Sequence, residues 1–423
     1  MKARWIRLAT AAMSALLLTG AAPIASAQTT LKMWTFLATT GTDPRSAALK
    51  GVVDSFNKSQ KEYTVEVESI PFARIDNSVI QATAAGQGPD ILNVYSDQLA
   101  LHVAAKTIVP LDDLLAKEPD SFRNDFVTKL DFFAFDAKKM AIPWETRVWL
   151  LWYRADLLKA AGLGVPKTLD ELASTGAKLS TDQTMGFSFG ASTGALGAGA
   201  IETFTPLLWA AGGDLFDASG KTTINSPAGV RVVAWMRDLV TKKAMRQSVV
   251  SMTIDDVMSS VKAGTTATTI LGSFRVAAGR GAAATGNNLQ TAPIPGWTAD
   301  KPSPARLAGQ TLTIGANTKH RAGAWRFIQY YLSPESQLAF ARAGVMPSRV
   351  STYNNAYFKD DPTGAEMRGW TTYAREHGRI GRTPSDFNKL SEELAKAIQS
   401  VLVQGTDPKQ ALDAAAAAYN AGR

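Results

Sequence analysis

The stretch from residue 29 to residue 95 constrains this chain more than any other, because strand and helix signals alternate along it without interruption. "TTLKMWTF" (29–36) is apolar at alternate positions, as a strand with one buried face must be. Residues 47–58 then put Leu49, Val52, Val53 and Phe56 on one helical face. "EYTVEVESI" (62–70) alternates strictly, "ARIDNSVIQATAAGQG" (73–88) reads as a helix stopped by Gly86, and "PDILNVY" (89–95) as a short strand. Strands joined through helices lie side by side only by crossing over the sheet, which makes neighbours parallel and covers the faces with helices. The expected fold class is therefore α/β. At 423 residues the chain is too long for one ordinary core, so two or three lobes are expected.

The pattern then changes several times. "AIPW" leads into an apolar run over 148–153, and "ADLLKAAGL" is a helix with a glycine stop. "PKTLDELASTGAKL" is a helix with Thr168 at its cap and Glu171 in capping-box position. Small residues over 190–200 suggest a loop. Amphipathic "NSPAGVRVVAWMRDLV" and "TIDDVMSSVKAG" are helices, "TATTIL", "TAPIP" and "AGQTLTIG" strands, and from Asp361 the chain is mostly helical. No internal repeat appears.

The first 27 residues are a separate object: Lys2, Arg4 and Arg7 precede an apolar stretch over 8–24 and an A-x-A site at 25–27. This reads as a cleavable secretory signal cut before Gln28. Its removal lowers the net charge of +8 by three. The remainder is mild and unclustered, so nucleic acid has no electrostatic footprint. The chain has no cysteine, which excludes disulfides and a cysteine-borne lipid anchor. Hydrophobic residues at 45% and charged ones at 19% fit a globular chain. A freely soluble periplasmic protein is expected.

Motifs for chemistry fall short. "GFSFG" (186–190) matches a nucleophile elbow around Ser188, but a flexible small-residue stretch follows where the elbow needs a helix. "ASGKTT" lacks the first glycine of a phosphate loop, having Leu215 there. His102, His320 and His377 are scattered without metal-ligand spacing. The pairs Asp112-Asp113 and Asp255-Asp256 stand at helix starts, where they complement the helix dipole. No catalytic residue, metal site or cofactor is expected.

The strand carrying Met33-Trp34, "AAGQGPDIL", "IVPLDDLL", "AIPW", "LLWYRADLLKAAGL", "PKTLDELA", "WAAGGDLF", "VKAGTTAT", "APIPG", "AWRFIQYYLSPESQ", "VMPSR" and "DPKQAL" follow one another over about 31–415. In that order they resemble the extracellular solute-binding proteins of ABC importers, in the group that includes maltose-binding protein. The resemblance implies a two-lobed periplasmic-binding-protein fold (type II). Each lobe would be a mainly parallel sheet flanked by helices, with a ligand cleft that closes by hinge motion. It implies an N-terminal lobe of 28–142 and 311–350 and a C-terminal lobe of 143–310 and 351–423. It also implies a monomer that performs no catalysis and hands a mono- or oligosaccharide to permease subunits at the inner membrane. A sensor subunit presenting ligand to a receptor would look the same.

By the same resemblance, "PWETRVWLLWYRADLL" (143–158) passes through the cleft before becoming a buried strand. The ligand-binding set implied is Trp34, Phe36, Thr39, Thr40, Asp97, Trp144, Glu145, Arg147, Glu202, Phe204, Gly272, Phe274, Arg275, Gln310 and Trp370. Rings stack on the C–H faces of a sugar, while carboxylates, amides and guanidinium forks hold its hydroxyls. Two departures tell against maltose itself: "FLATT" (36–40) replaces polar contacts of the group, and Glu202 replaces an aromatic. Glu145 and Arg147 could instead simply pair with each other. Arg147, Arg275, Arg349, Arg379 and Arg382 leave open an anionic sugar or a glycerol-phosphate-type ester. A secreted hydrolase using Ser188 or a carboxylate pair is the alternative of another class.

Overall fold

The computed structural model describes residues 28–41, 43–381 and 383–421. The signal sequence read over 1–27 and the candidate Arg382 lie outside the described residues.

The early alternation folds as its pattern requires. Thr29–Thr35 runs parallel to Tyr63–Ser69 on one side and to Ile91–Tyr95 on the other. Helices Pro44–Ser59 and Phe72–Ala84 make the crossovers. The first helix starts where the Asp43 carboxylate accepts from the N–H groups of Arg45 and Ser46, with Pro44 in the opening turn. Its apolar face is buried, and Phe56 meets Phe327 edge-on at 5.0 Å. Gln310–Gly315 returns antiparallel beside Ile91–Tyr95 and also holds Ile108–Val109 and Ile142–Pro143.

The second sheet is organised on Glu145–Arg154. Thr266–Gly272, Leu289–Ala292, Ala305–Ala308 and Met346–Pro347 all lie antiparallel to it. Met185–Ser188 is parallel to Thr266–Gly272, and Gly378–Arg379 to Ala305–Ala308. The architecture is thus two α/β lobes, but the expectation of mainly parallel sheets fails in the second. Of its antiparallel partners only Ala305–Ala308 leads on into the first sheet, while Thr266–Gly272 and Leu289–Ala292 pair with it within the second lobe.

Successive side chains of Glu145–Arg154 point to opposite faces. Trp149 and Leu151 join a core under the helices Leu169–Leu179, Ala198–Ala210, Pro227–Thr241, Phe387–Gln404 and Pro408–Asn420. Val148, Leu150 and Trp152 join another under Ile254–Lys262 and Pro362–His377.

"AGQTLTIG", read as one strand, is split at Gly309. Ala305–Ala308 belongs to the second sheet and Gln310–Gly315 to the first. A Cβ at Gly309 would lie 2.1 Å from the Glu145 carbonyl oxygen, so the two crossings between lobes touch backbone to backbone there. No helix of the described residues is long and apolar enough to cross a membrane.

Candidate functional site

Glu145, Arg147 and Trp149 share one face of the crossing strand, and where it passes between the lobes this face meets side chains of both. Arg147 donates from Nε and Nη2 to the two Glu145 carboxylate oxygens at 2.7 and 3.0 Å. Tyr95 of the first lobe and Phe274 of the second place their ring centres 5.4 and 4.0 Å from its guanidinium carbon. Burial alone would lower the Arg147 pKa; the Glu145 carboxylate outweighs that and leaves it raised. Gly272 makes the ring's position possible, since a Cβ there would lie 2.5 Å from a Phe274 ring carbon.

A second pair bridges the lobes. Arg306, on Ala305–Ala308, donates from Nη2 to Asp97 Oδ2 at 2.5 Å, and both are buried. Its guanidinium carbon stands 4.2 Å from the Trp149 ring centre, and Trp149 Nε1 donates to Glu202 at 3.0 Å. Burial raises the Glu202 carboxyl pKa, only partly opposed by Arg306 and by the Trp149 hydrogen bond. Arg275 donates from Nη1 to Asp255 at 2.7 Å. Arg45 reaches in from the first helix; burial lowers its pKa, with Glu145 opposing and Arg147 adding to the shift.

Several polar atoms here are buried without a hydrogen-bond partner among the described residues: Arg275 Nε, Arg306 Nη1 and both amide atoms of Gln310. Gln310 pairs directly with Tyr95 in the ladder, so the two side chains share a face. Buried polar groups are normally satisfied, and these atoms stand ready for partners: the Gln310 amide can donate and accept side by side, Arg306 Nη1 carries two N–H donors and Arg275 Nε one. At the rim Phe72, 52% exposed, meets Phe36 and Tyr95 edge-on at 5.8 and 6.0 Å. Gln98 Nε2 donates across the lobes to Asn388 Oδ1 at 3.3 Å.

Of the residues implied by resemblance, Phe36, Asp97, Glu145, Arg147, Glu202, Gly272, Phe274, Arg275 and Gln310 are gathered around this cleft. The pairing of Glu145 with Arg147, held open from sequence, is present. Thr39 and Thr40 sit in the turn after Phe36, the first half-buried and the second exposed. Other rings lie elsewhere. Trp144, 1% exposed, is in the first-lobe core against Tyr331 and Phe340, its Nε1 donating to Asn93, so neither ring face is free for a ligand. Phe204 is wholly inside the second-lobe core. Trp370 donates to Thr291 Oγ1 beside the Arg280–Glu366 pair, in a separate surface groove of about 710 Å³. Trp34 lines another groove with Lys32, Asn317 and His320. Arg349 pairs with Asp125, and Arg379 with Asp214.

Sequence reasoning missed Phe72, Tyr95, Trp149 and Arg306. For Trp149 the signal was present, because positions 145, 147 and 149 must share a face. Arg306 escaped because the strand reading starts at Ala308, whereas the strand that carries it is Ala305–Ala308. Ser188 is fully buried, and its Oγ lies 3.2 Å from Thr266 Oγ1, with no histidine against it among the described residues. Among the described residues no group of three or more metal-ligating side chains forms.

Residues 39–338 match the family model described as bacterial extracellular solute-binding protein. A Deinococcus radiodurans protein named "Probable ABC transporter-binding protein" is 28% identical over 289 residues, 65% of this chain and 67% of that one. The sn-glycerol-3-phosphate-binding periplasmic protein UgpB of Escherichia coli K12 is 26% identical over 360 residues, 79% of this chain and 80% of its own. Among solved structures, the GacH receptor of Streptomyces glaucescens, described with acarbose, matches with a TM-score of 0.78 at 23% identity. That match covers 93% of this chain and 97% of the receptor. Maltose-bound T. maritima MalE3 matches with a TM-score of 0.77 at 22% identity, covering 92% of this chain and 98% of its own.

Proposed function

The chain belongs to the bacterial extracellular solute-binding proteins and is a substrate-binding component of an ABC transporter; from that premise we propose that its solute is a carbohydrate, bound in the cleft between the lobes. The observation that carries the reading is the state of the polar groups there. Arg147 and Arg306 each already hold a carboxylate, whereas the Gln310 amide, the Arg306 Nη1 amino group and the Arg275 Nε–H remain open. A hydroxyl both donates and accepts, so a ring of hydroxyls fits such a mixture of donors and acceptors. Phe36, Phe72, Tyr95 and Phe274 supply apolar surface for the C–H patches of a sugar.

The working cycle follows from the crossings. Ligand bridging groups of both lobes favours the closed arrangement by its differential contacts with that state. The closed form is what the permease subunits at the inner membrane would receive. The protein is exported by a signal cleaved before Gln28, carries no lipid, acts as a monomer and performs no chemistry on its solute. The lobes divide close to residues 142 and 310. A second reading, a glycerol-phosphate-type ester, is favoured by the relatives named for sn-glycerol 3-phosphate.

The test is a thermal-shift screen of residues 28–423 against neutral mono- and oligosaccharides, uronic acids and sugar or glycerol phosphates. At about a hundred times its dissociation constant a ligand stabilises the native state by roughly 2.7 kcal/mol. Each kcal/mol moves Tm by about 2–4 °C for lobes of this size. A shift with neutral sugars is expected; no shift with any carbohydrate would overturn the reading.

A further inference from the structure

We propose that Gln98 and Asn388 form a latch between the lobes and set the affinity of the cleft by bonding to each other rather than to the solute. The inference rests on the chain being a solute-binding protein and holds whatever that solute is.

Three consecutive residues after Ile91–Tyr95 reach outward in order. Ser96 exchanges hydrogen bonds with Gly309: its N–H donates to the carbonyl at 2.9 Å, and its Oγ accepts from the Gly309 N–H at 3.2 Å. That contact lies on a crossing itself, where Gly309 meets the Glu145 backbone. Asp97 accepts from Arg306, three residues before Gly309. Gln98 Nε2 donates to Asn388 Oδ1 at 3.3 Å, on the helix Phe387–Gln404, which packs into the second-lobe core and is part of no crossing.

When two bodies turn about a hinge, points near the axis barely move and points further out move in proportion to their distance. The Ser96 contact survives such a turn. The Gln98–Asn388 bond does not, because lengthening it by about one ångström already breaks it. Both side chains are half-buried, and among the described residues this is the one side-chain hydrogen bond that either amide makes. Apart, the two amides return to water; together, they add free energy to the closed arrangement alone. A protein competent to hold its solute for only a fraction of the time binds with an affinity reduced by that fraction. A contact that raises the closed fraction therefore tightens binding with no contact to the solute. The net worth of one such hydrogen bond corresponds to about twofold to tenfold in the ratio of closed to open.

The experiment measures the separation of the lobes by double electron–electron resonance in the chain 28–423, with no sugar added. The sequence has no cysteine, so spin labels go on through Asn77→Cys and Lys262→Cys alone. Both positions are exposed, on the helices whose first turns carry Phe72 and Asp255 at the two sides of the cleft. The labelled chain is expected to show a short and a long separation. Q98A and N388A should each move population to the long one by about twofold to tenfold. Q98A/N388A should move it no further than either single change, since all three lose the same bond. Q98N/N388Q exchanges the two amides, keeps their combined reach and should recover the short separation, which a merely structural role for either residue would not produce. A distribution unchanged in Q98A and N388A, additive effects in the double variant, or no recovery in the exchanged pair would each overturn the latch.

Discussion

Replacing Arg147 by methionine would strand the Glu145 carboxylate in a site where its side chain is only 1% exposed. The lost interactions are two charge-assisted hydrogen bonds at 2.7 and 3.0 Å and the contacts of the guanidinium with the Tyr95 and Phe274 rings. Breaking a buried ion pair from one side costs roughly 3–5 kcal/mol, most of it the penalty for an uncompensated charge. Replacing both partners, as in E145L/R147M, leaves no charge stranded, and similar exchanges elsewhere are neutral or stabilising. The double variant is therefore expected to be more stable than R147M by roughly 2 kcal/mol or more, with a coupling well above the ~0.5 kcal/mol seen for independent sites. Urea denaturation followed by tryptophan fluorescence measures all four corners of the cycle without ligand. An R147M cost below about 1 kcal/mol, or additive single costs in the double variant, would refute the view that this pair is buried and mutually dependent.

Four further outcomes follow from the same geometry. W144A is expected to destabilise the chain by about 3–5 kcal/mol, because the ring fills the first-lobe core. F72A at the exposed rim should change stability by no more than about 0.5 kcal/mol, yet weaken sugar binding by about 0.5–1.5 kcal/mol in calorimetry. Burial raises the Glu202 carboxyl pKa, so the folded chain keeps a proton that the unfolded chain releases. Unfolding free energy should then fall as pH rises from the ordinary value of 4.5 through the raised one and stay lower above it, a decline that pH-dependent denaturation should find missing in E202Q. G309A would push a Cβ to 2.1 Å from the Glu145 carbonyl and should cost about 1–3 kcal/mol or more, read from the denaturation midpoint.

The first sheet was legible because its signals are local: alternation in 62–70, an apolar helical face over 47–58, and a glycine stop at Gly86 each act within a few residues. Strand direction in the second sheet was not, since it depends on which distant strands come to flank Glu145–Arg154, and nothing local encodes that. The cleft was legible in part. Glu145, Arg147 and Phe274 are implied by resemblance, but Trp144, expected as a stacking ring, is a core residue. It stands between Ile142–Pro143 of the first sheet and Glu145 of the second, where the alternation is interrupted and its phase gives no guide. Phe72 and Arg306 reach the cleft only through tertiary folding, 73 and 161 residues respectively from Glu145 by the numbering.

The crossing strand has a consequence for how such a protein can diversify. Its two-residue period assigns Glu145, Arg147 and Trp149 to the cleft side while Val148, Leu150 and Trp152 fill the opposite core. Inserting or deleting a single residue would exchange the two sets, sending charges into the oil and aliphatic side chains into the binding groove. The length of this segment is thus frozen, and its inherited variation must take the form of one side chain substituted for another in place. Freedom to lengthen or shorten belongs to the turns that carry Phe36, Asp97 and Phe274 beyond their strands, where one lineage can reshape the mouth of the groove without shifting its floor.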